Sequence, residues 1–440
     1  MLNELLYQLQ DPNTQWVLFG TLLLGTASGV LGSFALLRKQ SLIGDAMAHA
    51  ALPGVCIAFL LYGQKSLLWF LAGAAIAGLI ATWMIQTIVR HSRIKEDSAL
   101  GLVLSVFFGF GIVLLTYIQQ GSSGSQSGLD DFIFGQAASM VGEDVRLISI
   151  ASATLLLLTF LFFKEFKLLT FDPQFAKGAG LPVSFLNGLL MTLIVSAVVI
   201  GLQTVGVVLM AAMLITPSIA ARYWTEKLHV MTVLSGVIGG ISGIAGTFLS
   251  TITEGMPTGP LIIMAATFLF LVSLIFAPKR GLISILYKKL KVRKATAMEH
   301  VLLSLYDLME KAELSNKEAQ FTKEDLVKKR PVSSGLLEAV LNDFEKKEWV
   351  IQQGDAWKLT EQGLGVAYDL VLNQRMYEMY LMHEMELANV QLLNKEDVDA
   401  GDLSGELKAR LSILLNKHKR MPSLLPGKAR VHAKQGGLVQ

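Results

Sequence analysis

Residues Ser41 to Leu61 read SLIGDAMAHAALPGVCIAFLL, and the fold turns on how this stretch is read. By length and apolarity it is a membrane span, because about 20 apolar residues cross the hydrocarbon core. Yet Asp45 and His49 lie in its first half. An ionisable side chain near the centre of a span costs about 2.5–3.5 kcal/mol on insertion scales. Residues i and i+4 share a helix face, so a carboxylate oxygen and an imidazole nitrogen stand side by side. Ala46, Ala48, Ala50 and Ala51 leave room around them for another helix or a hydrated ion. Pro53-Gly54 removes a backbone donor and predicts a bent or broken segment lining a cavity. Two readings fit the pair: a structural polar cluster, or an ion or proton site.

Outward from this stretch the 440 residues divide into two populations. The chain is 52% hydrophobic and 17% charged, but residues 16–278 hold the long apolar runs while 288–440 are as charged as a soluble domain. That predicts a polytopic membrane protein with a soluble C-terminal domain. The expected fold is an all-α membrane bundle of about 8–9 transmembrane helices plus an α+β domain. The expected divisions are 1–280 (membrane), 281–295 (basic linker), 296–400 (soluble domain) and 401–440 (helical remnant and flexible tail). The net charge of +3 is the sum of unlike parts and excludes little. The one cysteine, Cys56, lies inside a span and reads as packing. Met1–Gln15 carries Glu4 and Asp11 without a basic start, so no cleaved leader is expected.

The expected spans are Trp16–Leu37, Ser41–Leu61, Leu67–Val89, Ser98–Ile118, Val145–Phe163, Val183–Gly201, Val205–Ala221, Val230–Ser250 and Pro260–Ala277. Gln203-Thr204 is the expected break between the sixth and seventh. Basic residues crowd alternate loops: Arg38, Lys39, Arg90, Arg93 and Lys95 belong to one side, as do Lys164, Lys167, Lys177 and Lys279. The other side holds only Lys65 and Arg146. By the positive-inside rule the N-terminus is outside and the C-terminal domain cytoplasmic. Gly25/Gly29, Gly236/Gly240 and Gly239/Gly243 have the spacing that lets spanning helices approach closely.

In the soluble part, Thr322 and Ser333-Ser334 read as helix starts, and Trp349–Leu359 as two short strands around Gly354-Asp355. A further helix from Thr360 is expected to run to about Ala388. Three helices and a hairpin make a winged helix-turn-helix. In the segment LLTFDPQFAKGAGLPVSFLNG, Phe171, Phe175 and Leu181 mix with Asp172, Ala176, Lys177 and Gly180. This reads as a short surface helix that docks a partner or lies on lipid headgroups. No G-x-x-x-x-G-K-[ST] loop, HExxH, CxxC pair or G-x-S-x-G elbow occurs. Nothing marks an enzyme.

Gly44-Asp45-Ala46 with His49-Ala50-Ala51-Leu52-Pro53-Gly54 resembles the signature of the zinc/manganese/iron ABC-transporter permease family (ABC-3 type). Supporting matches are Glu96–Gly101, Phe132–Gly135, Phe171–Ala176, Val205-Gly206 and Thr216-Pro217, within residues 10–280. The resemblance implies a type II ABC-importer-like permease that forms the pathway with a second permease subunit. A cytoplasmic ABC ATPase dimer drives it and an extracytoplasmic metal-binding protein delivers the ion. It implies Asp45 and His49 as metal ligands, and Phe171, Asp172, Phe175, Ala176 and Gly180 as the ATPase-coupling segment. The cargo would be Mn²⁺, with Zn²⁺ or Fe²⁺ as alternatives, and no cofactor is held permanently. Mixed oxygen and nitrogen donors suit these ions and suit Cu(I) poorly.

The C-terminal domain resembles the winged-helix part of DtxR-type metal-dependent repressors. It departs from them at Gln374, where a histidine ligand is expected; Glu299-His300 and His383-Glu384 make no complete ligand set. The helix in the recognition position carries Glu338, Asp343 and Glu345 with no basic residue before Lys346, the wrong charge for a nucleic-acid reader. A regulatory or assembly module is therefore expected. The competing readings of the whole chain are a proton-coupled secondary metal transporter and a membrane-tethered metal-responsive regulator.

Overall fold

The computed structural model describes residues 12–40, 42–62, 67–120, 142–252, 256–314, 321–384 and 405–425. The matched segment Phe132–Gly135, the Gly/Ser loop before it, the residues after Glu384 up to Ala388 and the tail beyond residue 425 lie outside these. The chain divides into two units, Met1–Ile285 and Leu286–Gln440.

The first unit is built from α1 (Pro12–Leu37), α2 (Ile43–Tyr62), α3 (Leu67–His91), α4 (Glu96–Gln120) and α5 (Gly142–Leu161). Two short helices follow, α6 (Phe163–Phe171) and α7 (Pro173–Gly178). Then come α8 (Val183–Val205), α9 (Val207–Trp224), α10 (Leu228–Ile252) and α11 (Thr258–Phe276). Among the described residues, eight helices are long and apolar enough to cross a membrane: α1 to α5, α8, α10 and α11. This is a multi-pass membrane protein. The expected seventh span corresponds to α9, which is not one of those eight. The break before it falls at Gly206 rather than at Gln203-Thr204. Gly206 has φ +92°, a backbone state that a residue with a Cβ rarely adopts, so the helix stops there.

The glycine pairs named from the sequence meet each other. A Cβ on Gly25 would lie 2.3 Å from the Gly239 carbonyl oxygen, and one on Gly29 would lie 2.3 Å from that of Ser235. The Ser235 hydroxyl donates to the Gly29 carbonyl at 2.6 Å, a bond possible only because the α1 and α10 backbones nearly touch. The central span is α2, whose hydrophobic window is 78% buried against 22% for α11. It packs on α3, α4, α8 and α9.

The expectation for Pro53-Gly54 is met in part, since both line an apolar groove with α3 and α4. Pro53-Gly54 does not break the helix, which runs unbroken from Ile43 to Tyr62. A Cβ on Gly54 would come within 2.1 Å of the Gly73 carbonyl oxygen. Gly54 therefore serves a close crossing of α2 over α3, and the neighbouring helix holds the proline turn in place.

The second unit opens in α12 (Leu282–Leu314), so the basic segment expected as a linker is already helical from Leu282. It continues through β1 (Phe321–Thr322), α13 (Lys323–Lys329), α14 (Ser334–Lys346), β2 (Val350–Gln353) and β3 (Ala356–Leu359). The last elements are α15 (Glu361–Met382) and α16 (Gly405–Lys417). The sheet order is β1-β3-β2, all antiparallel, and Gly354 at φ +64° makes the β2–β3 turn. Thr322 caps α13 through a reciprocal capping box with Asp325, and Thr360 accepts from the Gly363 N–H at 3.0 Å. Ser333 stands at the start of α14 without a side-chain cap bond. A core of Leu305, Tyr306, Val340, Phe344 and Trp357 joins these elements. A smaller core of Met379, Tyr380, Leu411 and Leu415 joins α15 to α16. The first residues of the expected flexible tail are pinned, since the Ser423 N–H donates to Glu310 at 2.8 Å and the Leu424 N–H to the Tyr306 hydroxyl at 3.1 Å.

Candidate metal site and coupling segment

Asp45 and His49 sit in the first turns of α2, one helical turn apart, with His49 Nε2 3.4 Å from Asp45 Oδ1. The His49 side chain is 18% exposed and that of Asp45 39%, so the pair opens at the subunit surface instead of being sealed in the bundle. On the inner side Gly44 lets α9 approach, with Leu214 Cδ2 3.0 Å from where a Cβ would be. Ala46 and Ala50 are buried, as their small side chains allow.

Two features of the site escape a sequence reading. The Phe108 ring meets the His49 ring edge-on at 4.7 Å, fixing the imidazole against α4. Gln40 Nε2 donates to Glu96 Oε1 at 2.6 Å, tying the turn before α2 to the start of α4. Glu96 reads from sequence as a helix-dipole partner, which signals the position but not this bond. The signal for Phe108 is absent, because an aromatic in a span is ordinary.

A single ion about 2.1 Å from each of two donors 3.4 Å apart sees them at an angle of about 108°. That suits coordination by both side chains without moving the helix. Among the described residues His49 Nδ1 is buried without a hydrogen-bond partner, so the second contact that usually orients a ligating imidazole is not supplied there and Phe108 alone positions the ring. Among the described residues no group of three His, Cys, Asp or Glu side chains assembles. The site thus has two candidate ligands among the described residues. The far half of α2 borders an apolar groove of about 490 Å³ with α3 and α4, lined by Ile57, Trp69, Ile76 and Phe110 among others. It presents hydrocarbon, and an ion finds no ligand there. Cys56 is buried with Sγ 3.9 Å from the Gly111 carbonyl, a packing contact.

The segment after α5 turns twice. α6 ends at Phe171, Asp172 caps α7 by accepting the Phe175 N–H at 2.8 Å, and Pro173 fills the first helical position. Ala176 is fully buried, while Phe171 and Phe175 are 60% and 61% exposed. Gly180 follows at φ +81° with open space around it. One aromatic ring is therefore held out at the end of α6 and another on α7, either side of the Asp172 cap, with Ala176 buried beneath. Glu299 and His300 lie within α12, whereas His383 and Glu384 lie beyond the end of α15; the two pairs stand on different elements.

Residues 10–277 match the model of the ABC 3 transport family. The chain is 60% identical to the manganese transport system membrane protein MntC of Bacillus subtilis over 424 residues, 96% of each chain. It is 44% identical to the zinc transport system membrane protein TroC of Treponema pallidum over 291 residues, covering 66% of this chain and 98% of the relative. Among solved structures it is similar to PsaBC from Streptococcus pneumoniae in complex with Fab. The TM-score there is 0.57 at 35% identity, covering 66% of this chain and all of that one. The chain belongs to the ABC 3 transport family.

Proposed function

We propose that this chain is the permease subunit of an ATP-driven divalent metal importer with Mn²⁺ as its cargo. The observation that carries the reading is the Asp45–His49 pair on the central span, open at the subunit surface. Two ligands from one chain leave an ion's coordination shell unfilled. A second permease subunit facing this surface would bring the remaining donors, and the ion would pass between the two. Oxygen and nitrogen donors suit Mn²⁺, Zn²⁺ and Fe²⁺ alike. The choice of Mn²⁺ rests on the manganese-transport relative that matches 96% of the chain.

The phosphate-binding loop absent from the sequence comes from a cytoplasmic ATPase dimer, which receives the exposed Phe171 and Phe175 around the Asp172 cap. An extracytoplasmic metal-binding protein delivers the ion. The loop charges support an outside N-terminus and a cytoplasmic C-terminal unit. We read that unit as a winged-helix domain similar to DtxR-type repressors and serving regulation or assembly. Helices α12 to α14 followed by the β2–β3 hairpin support this. A DNA-reading role is disfavoured because α14 presents Glu338, paired with Lys323 at 3.0 Å, and Asp343, paired with Lys294 at 2.7 Å.

The test is the metal content and ATPase activity of the complex copurified with its partners, wild type beside the Asp45→Ala/His49→Ala double variant. Wild type should retain Mn²⁺, and the variant should lose it with the complex intact. Equal retention would make the pair structural.

A further inference from the structure

The start of α12 carries an exposed apolar stripe. Leu282, Ile283, Leu286, Tyr287 and Leu290 recur at i, i+1, i+4, i+5 and i+8, one face of a helix. They are 54%, 52%, 59%, 70% and 55% exposed. The first buried residue along this helix is Ala297. Such a stripe left to water over about two and a half turns is unfavourable and marks an interaction surface.

Charge and position say what covers it. Between Lys279 and Lys294 stand seven basic residues, and no Asp or Glu occurs before Glu299. Lys294 is engaged by Asp343. Lys288 falls opposite the stripe, Lys289 and Lys291 flank it on either side, and Arg293 continues its line one turn on, so that long stems lie along hydrocarbon and cationic heads reach outward. The helix also begins at the end of a membrane span. The Gly281 N–H donates to the Ala277 carbonyl at 2.9 Å and the Ser284 hydroxyl to the same oxygen at 3.0 Å. A Cβ on Gly281 would lie 2.4 Å from that oxygen. The turn from α11 into α12 is thus tightly locked, and thirteen residues of helix reach only about 20 Å from it. A basic helix with an apolar stripe, tethered at the bilayer surface, has the composition of an interfacial helix.

We propose that residues 282–294 bind anionic phospholipid, laying Leu282, Leu286 and Leu290 into the headgroup–acyl boundary with the lysines on the lipid phosphates. The inference requires that α11 cross a membrane and is independent of the cargo.

The test uses the full-length chain in its complex, in nanodiscs of phosphatidylcholine alone or with phosphatidylglycerol added. On a Cys56→Ala background, a fluorophore is placed at Leu286→Cys or, as the opposite face, at Val292→Cys. Quenching by brominated acyl chains is then read. Quenching at position 286 should rise about twofold or more with anionic lipid, stay low at position 292, and be reversed by high salt. Lys288→Glu/Lys289→Glu should abolish the rise. Equal, low quenching at position 286 in both lipids would overturn the proposal. So would a label that responds only when the ATPase is added, which would assign the stripe to a protein partner. If the glutamate variant does not assemble, the salt titration of the wild-type background decides by itself.

Discussion

Replacing Asp45 by Asn tests the site most cleanly, because size and shape are kept and only the charge is removed. Asp45 Oδ1 and His49 Nε2 lie 3.4 Å apart, a separation one ion can bridge at ordinary bond lengths. Losing even a group that supports a metal ligand typically lowers metal affinity 10–100-fold. Loss of a direct carboxylate should therefore reduce kcat/KM for Mn²⁺ uptake by about 100-fold or more, close to 2.8 kcal/mol at 1.4 kcal/mol per decade. The bundle should not suffer, since Asp45 is partly open and its neighbours Ala46 and Ala50 are packed independently of its charge. The assay is uptake of radiolabelled manganese into proteoliposomes holding the permease with its ATPase and binding protein, with recovery of the intact complex as the folding control. His49→Ala should behave alike. If both variants retained uptake within about threefold of wild type, the pair would be structural and the pathway would lie elsewhere.

Three further outcomes follow from the same geometry. Asp172→Ala removes the cap on the Phe175 N–H; it should cost about 1 kcal/mol locally and uncouple ATP hydrolysis from uptake while metal binding persists. Gly239→Val forces a Cβ to 2.2 Å from the Gly25 carbonyl and should destabilise the bundle by about 1–3 kcal/mol, seen as a lower unfolding temperature in detergent. Gly188→Ala, with open space around it, should leave that temperature unchanged or raised.

The fourth concerns Glu310, where burial alone would raise the pKa. Hydrogen bonds from Arg375 and the Ser423 N–H outweigh burial and hold the carboxyl below its usual range. A depressed folded value means the stabilisation is complete above the ordinary carboxylate pKa and is lost as pH falls through the lowered one. Hydrogen exchange at residues 421–425 should therefore lose protection in acid. Glu310→Gln should lose it already at neutral pH, by about 1–3 kcal/mol. Unchanged protection in that variant would show that Leu424 and Tyr306 suffice.

The sequence by itself determined that the first unit crosses a membrane, because runs of apolar residues admit no other solvent. It also determined that Asp45 and His49 share a face, because 3.6 residues per turn is a local rule, and that a short surface helix lies in the segment around Phe171 and Phe175, whereas its start at the Asp172 cap was seen only in the structure. The glycine spacing foretold close helix pairs for the same reason. Which helix each glycine meets was decided only by the tertiary structure, as the Gly25–Gly239 and Gly54–Gly73 crossings illustrate. Pro53 reads locally as a break, yet packing of α2 against α3 holds the helix continuous, and the break falls instead where Gly206 takes a positive φ. Phe108 against His49 and Gln40 on Glu96 join residues tens of positions apart, and the half-open exposure of the Asp45–His49 pair depends on which helices pack around it. Local periodicity carries no information about such contacts, since they depend on how the helices are arranged in three dimensions.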